Sequence, residues 1–139
     1  YTPNEMTAAM RSVAKYGEWA ANRQVEVVEA EIQMVSEAYR FGGTADALLR
    51  IDGVLTVCDF KTGKGIYAEH AYQAAAYAEL AKENGWPVAA VRILNIPRSE
   101  SEAFQERVLT DWSMEWEMFL AALAVYKAQK AIERKKEAA

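Results

Sequence analysis

The sequence is short of cysteine and histidine. It has one of each, Cys58 and His70, in 139 residues. A single cysteine excludes an internal disulfide framework. One cysteine and one histidine together exclude a zinc or iron–sulfur site built from those residues within this chain. Three prolines and seven glycines are too few for a collagen-like or low-complexity chain. No run approaches the ~18 apolar residues of a membrane-spanning helix, so no membrane partner is expected. Sparse cysteine fits a reducing, intracellular compartment. Positive charge is also scarce, with a formal net charge of −4. A protein that grips nucleic acid by bulk electrostatics carries the opposite sign.

What is present is the balance of a globular chain, 52% hydrophobic and 26% charged, at a length that suits one domain over residues 1–139. The charge is uneven. Lys127, Lys130, Arg134, Lys135 and Lys136 face only Glu133 and Glu137 in the last twenty residues, a local +3 that leaves −7 on the remainder. A polyanion would have to be met by local basic groups or by a cation held on the acids.

Apolar periodicity predicts a helix over 4–23, with Asn4 as cap and Met6, Met10, Val13, Tyr16 and Trp19 on its face. Val25 to Val35 is β-branched and partly alternating, a strand. Arg40 to Ile51 and Val54 to Lys61 are strands joined by Asp52-Gly53, a two-residue hairpin turn in which both positions favour positive φ. An Ala-rich helix follows over 68–84, closed by Asn84-Gly85. Val88 to Ile96 is a strand, and Phe104 to Leu109 a short edge strand. Asp111 caps a long last helix with Met114, Met118, Leu120, Leu123 and Tyr126 as its apolar surface, and Trp112, Trp116 and Phe119 near its start read as core. The order α-β-β-β-α-β-β-α is an α/β domain with a mixed sheet.

The hairpin has a chemical consequence. Counting back from the turn, Ile51 pairs with Val54 and Asp46 faces Asp59. Side chains alternate along a strand, so Asp59 and Lys61 point the same way and Cys58 points to the core on the other face. Two carboxylates that close stay ionised only if a cation compensates them. Carboxylate oxygens suit a hard ion such as Mg²⁺ or Mn²⁺, which keeps room for waters and substrate phosphate. Such an ion polarises a phosphoryl oxygen and acidifies a bound water. Lys61 could then stabilise developing charge or orient that water. Glu31, on the preceding strand, is a candidate third acid, but Glu29 shares its face. Gln73 and Tyr77 share one face of the Ala-rich helix and could contact DNA or brace Lys61. Lys64 and Arg98 are candidate phosphate contacts, or solvated surface charges. His70 lies one residue off the Gln73 stripe.

Glu31, Gly43-Thr44-Ala45-Asp46, Asp59-Phe60-Lys61-Thr62 and Gln73-Ala-Ala-Ala-Tyr77, taken as an ordered set, resemble the PD-(D/E)XK nuclease superfamily, in particular its RecB-type and phage-exonuclease branch. The resemblance implies an αβββαβ restriction-endonuclease-like core with a central mixed sheet flanked by helices. It implies a Mg²⁺- or Mn²⁺-dependent deoxyribonuclease with Asp46, Asp59, the Phe60 carbonyl and Glu31 as ligands, Glu31 being the helper acid and Lys61 the catalytic lysine. Gln73, Tyr77, Thr62 and Lys64 would meet the substrate, DNA. It places the protein in recombination, repair or phage DNA processing, in the cytoplasm of a bacterial or phage-infected cell, as a homo-oligomer or with a recombination partner. The branch also carries a metal-site His on an upstream helix, and no His precedes His70 here. A non-catalytic nucleic-acid-binding or assembly module on the same fold is the alternative expectation.

Overall fold

The computed structural model describes residues 3–138. Helix α1 (Pro3–Ala21) is followed by strands β1 (Val25–Ser36), β2 (Phe41–Ile51) and β3 (Val54–Lys61). Helix α2 (Ala68–Glu83), strands β4 (Ala90–Asn95) and β5 (Gln105–Leu109) and helix α3 (Ser113–Ala138) complete the chain. The strands form one sheet in sequence order. The β3–β4 pair is parallel and the other three pairs are antiparallel. The expected α/β order holds element for element. The described first helix opens at Pro3, so Asn4 sits inside its first turn and does not cap it; the side chains of Asn4 and Met6 lie outside the described residues.

Two apolar layers sandwich the sheet. On one face Trp19 of α1, with Tyr16 and Ala20 beside it, covers Ala47, Leu49, Ile51, Cys58, Leu94 and Ile96. On the other, α2 lies over Ala45, Leu48, Leu55, Val57, Val91 and Ile93. The buried residues of α2 are six alanines and Leu80, and such short side chains let the helix lie close to the strands. Its first turn is closed by a capping box in which the Tyr67 N–H donates to His70 Nδ1 at 3.1 Å. That bond is where His70 is spent.

The turn behaves as its residues require. Asp52 and Gly53 have φ of 49° and 84°, and the ladder runs from Ile51↔Val54 to Ala47↔Cys58. Asp52 is further tied to Gln24, donating its N–H at 2.8 Å and accepting on Oδ1 at 2.9 Å.

One expectation fails. Strand β1 does not alternate regularly: a bulge interrupts its pairing between Val27 and Glu29, and Glu31 has φ of 51°. The shared face of Glu29 and Glu31 therefore does not follow from their spacing. The apolar stripes of the outer helices are largely uncovered. Asp111 Oδ1 does accept the Ser113 N–H at 3.0 Å, and Trp112 is core. Trp116 and Phe119 pack against Tyr39 and Phe41. Met114, Met118 and Tyr126, however, are exposed, as are Met10 and Val13 of α1. Trp112, Trp116 and Phe119 make the aromatic contacts of α3, and further along Lys127 donates to the Tyr39 carbonyl at 2.6 Å.

Candidate active site

The end of the β2–β3 hairpin opposite the turn gathers the predicted residues. Beyond Ala47↔Cys58, the Phe60 N–H donates to Asp46 Oδ2 at 2.8 Å. A carboxylate takes the place of the next carbonyl partner. This turns Asp46 toward β3, where its carboxyl lies beside that of Asp59. Asp59 is 3% exposed. Lys61 Nζ stands 3.1 Å from Asp59 Oδ2 and donates to Gln73 Oε1 at 3.0 Å. The Lys61–Asp59 contact is an ion pair without hydrogen-bond alignment, so Asp59 Oδ2 is buried with no hydrogen-bond partner among the described residues.

The electrostatics follow. Burial and the Asp46 carboxyl push the Asp59 pKa up to about 6, against the opposing pull of the Lys61 ammonium. Burial, then the negative charge of Asp59 and Asp46, also raises the Tyr77 hydroxyl. The His70 imidazole is lowered, first by burial and then by Lys61. Cys58, on the opposite face, is pushed up to about 12, mainly by burial, and is an inert core thiol.

Gln73 and Tyr77 do share one side of α2. Gln73 spends its oxygen on Lys61. Tyr77 lies against Gly43, where an added Cβ would fall 2.9 Å from the ring carbon Cε1. The glycine is thus a clearance for the tyrosine. Thr62 and Lys64 are exposed on the loop after β3. Arg98 is paired with Glu102 at 3.3 Å, which makes it a poor candidate for free phosphate contact.

Glu31 and Asp46 line one cavity of about 520 Å³ on the α1 side of the acids. Its walls are otherwise apolar or aromatic and include Tyr16, Ala47, Leu49, Phe60 and Ile96. Glu29 is not among its lining residues. Glu31 reaches this position through its left-handed backbone. A non-glycine residue held there stores strain of about 1–3 kcal/mol, a feature that clusters at functional sites.

A sequence model of the PD-(D/E)XK nuclease superfamily matches residues 2–138. The chain belongs to that superfamily. Solved structures agree on the restriction-endonuclease-like fold. The crystal structure of SSO0001 aligns with a TM-score of 0.50 at 16% identity, over 91% of this chain and 61% of that one. A protein named "Putative exonuclease" from Eubacterium rectale aligns with a TM-score of 0.54 at 14% identity, over 90% of this chain and 50% of that one. At these identities the likeness is one of fold. The chain spans between half and about three-fifths of the length of these two structures. No curated protein matches it.

PD-(D/E)XK nucleases generally use divalent metals, and the residues here fit one. Asp46 and Asp59 adjoin, and the buried Asp59 Oδ2 lacks a hydrogen-bond partner. Burial makes ionising that group costlier than in water, and a cation beside it offsets that cost. Among the described residues no three His, Cys, Asp or Glu side chains converge into a metal-holding group. Glu31 therefore borders the same cavity as Asp46 without closing a three-acid set. Two carboxylates, with oxygen as their only donor atoms, suit a hard ion that keeps its waters.

Sequence reasoning missed two residues of this neighbourhood. Asn95 is fully buried, and Gln105 reaches the loop after β3. A polar residue between the apolar Ile93-Leu94 and Ile96 was the available signal for Asn95.

Proposed function

We propose that this chain is the nuclease domain, spanning 1–139, of a divalent-metal-dependent deoxyribonuclease of the RecB-type and phage-exonuclease branch. The observation that carries the reading is the joined set Asp46, Asp59, Lys61 and Gln73 at one end of the β2–β3 hairpin. Asp46, Asp59 and the Phe60 carbonyl hold Mg²⁺ or Mn²⁺. When bound, such an ion polarises a phosphoryl oxygen and lowers the pKa of a water.

The chain's own groups do the rest. An ammonium has three protons and no acceptor. Lys61 gives one to Gln73 Oε1 and directs charge at Asp59, which leaves a donor for a phosphate oxygen or the attacking water. Gln73 thereby fixes the rotamer of the catalytic lysine. The main-chain bond from Phe60 fixes Asp46 in the same way. Glu31, at the rim of the cavity, orients water beside Asp46. Tyr77, Thr62 and Lys64 border the path of the DNA strand. The reading places the protein in DNA recombination, repair or phage DNA processing, in the cytoplasm of a bacterial or phage-infected cell. It works as a homo-oligomer or with a recombination partner, which supplies positive charge that a net −4 chain lacks.

The test is cleavage of linear and circular DNA in Mn²⁺ against EDTA. Wild type is expected to degrade linear DNA only with the ion, and Asp59→Ala and Lys61→Ala to abolish it. Cleavage that persists unchanged in both variants sinks the assignment. A non-catalytic binding module on the same fold is the second reading. Normal DNA binding with no cleavage under any divalent ion selects it.

A further inference from the structure

The chain from Thr62 to Tyr67 joins β3 to α2, and its course sets where Gln73 meets Lys61. Two side chains from β4 and β5 hold it. Asn95 stands opposite Lys61 in the parallel β3–β4 ladder and is fully buried. Its Nδ2 donates to the Gly63 and Ala103 carbonyls, each at 2.8 Å, which uses both amide protons. Its Oδ1 is buried without a partner. An amide placed there at that cost is compensated by what its nitrogen holds.

Across the β4–β5 ladder, Asn95 pairs with Gln105. Gln105 is exposed on the edge strand, yet its Oε1 accepts the Ile66 N–H at 2.7 Å, two residues before α2. The same oxygen lies over Gly65, where an added Cβ would come within 2.8 Å of it. Gly65 has no positive φ among the glycines that do, so its lack of a side chain serves this approach. One clamp thus grips the loop at Gly63 and at Ile66.

We infer that Asn95 and Gln105 are positioning residues: their grip on the loop sets α2 so that Gln73 Oε1 meets the Lys61 ammonium. The inference rests on the nuclease reading for its kinetic consequence, but not for its geometry. A loop anchor alone would move stability and leave Lys61–Gln73 unchanged.

Asn95→Ala empties a fully buried position and can unfold the chain, so the exposed half of the clamp carries the test. Gln105→Met keeps the length and loses the acceptor. Gln105→Glu keeps an acceptor. Gly65→Ala displaces the acceptor from the other side without altering Gln105. In ¹⁵N-labelled protein in EDTA, Gln105→Met and Gly65→Ala are expected to speed exchange of the Ile66 amide by roughly tenfold. They should also shift the Gln73 side-chain amide resonances, and Gln105→Glu should leave both near wild type. In Mn²⁺, kcat on DNA should fall roughly tenfold with KM unchanged in the first two variants, and recover in Gln105→Glu. Faster Ile66 exchange with unmoved Gln73 resonances overturns the inference. Wild type that cleaves nothing overturns the nuclease reading, and the Gln73 resonances still decide the clamp.

Discussion

The two ends of the β2–β3 hairpin are built on opposite terms. At Asp52-Gly53 the positive φ values fall on an aspartate, which tolerates them, and a glycine, which adopts them freely, and the ladder is regular down to Ala47↔Cys58. At the other end a carboxylate replaces a carbonyl, Glu31 is left-handed, and two acids meet beside an ammonium in a buried place. Local agreement at one end fixes the register. That register forces together, at the other end, groups that would otherwise stay apart.

Substitutions can separate the two ends. The largest effect is expected at the acid end: Lys61→Ala should lower Mn²⁺-dependent cleavage by roughly 10²–10³-fold, measured below the melt of the variant. If Lys61→Ala cleaves like wild type, that end has no chemical privilege over the turn.

Next is pH. Asp59 titrates near 6 when folded, against 3.8 ordinarily. Between those values the folded state holds a proton that the unfolded chain lacks, so this group adds stability as pH falls through 6 and subtracts it above. Metal-free protein should melt a few degrees higher near pH 5 than near pH 7.5, and Asp59→Asn should flatten that rise. Added Mn²⁺ should raise the melt more at the higher pH, where no proton competes for the carboxylate. An equal rise in Asp59→Asn would assign the effect elsewhere.

At the turn the expected pattern reverses. A Cβ on Gly53 meets nothing within 4 Å, so Gly53→Ala costs only the strain of its positive φ, about 1 kcal/mol. Denaturant titration should show that loss while cleavage below the melt stays at wild-type rate. The smallest stability change is expected from Glu31→Gly, which relieves its left-handed backbone and gains up to about 1 kcal/mol. Cleavage should nevertheless fall, and Glu29→Ala should change neither. Loss of cleavage in Glu29→Ala alone would exchange their roles.

Much of this contrast was legible in the residues. Asp-Gly between β-branched runs is a local signal, and the meeting of Asp46 with Asp59 follows from it by counting. The counted pair Asp46↔Asp59 itself is missing, since the ladder stops at Ala47↔Cys58 and the Asp46 side chain takes the Phe60 N–H instead. Lys61 and Gln73 were less secure, since their contact depends on how α2 lands on the sheet. The choice between Glu31 and Glu29 was not legible, because a bulge and a positive φ break the two-residue period on which it would rest. Asn95 and Gln105 act across strands that are distant in sequence from the loop they hold. The stripes of α1 and α3 were legible as stripes, but periodicity does not say whether anything covers them.

The alanines of α2 have a consequence for the tolerances of the whole assembly. A helix seated on methyl groups has no slack beneath it. A larger residue at Ala74 or Ala78 would work as a shim, and overpacking of this kind commonly costs about 1–3 kcal/mol. The rigid rod would lift as a unit, carrying Gln73 and Tyr77 off their seats together. The placing of the Lys61 ammonium is thus machined by the short side chains beneath α2.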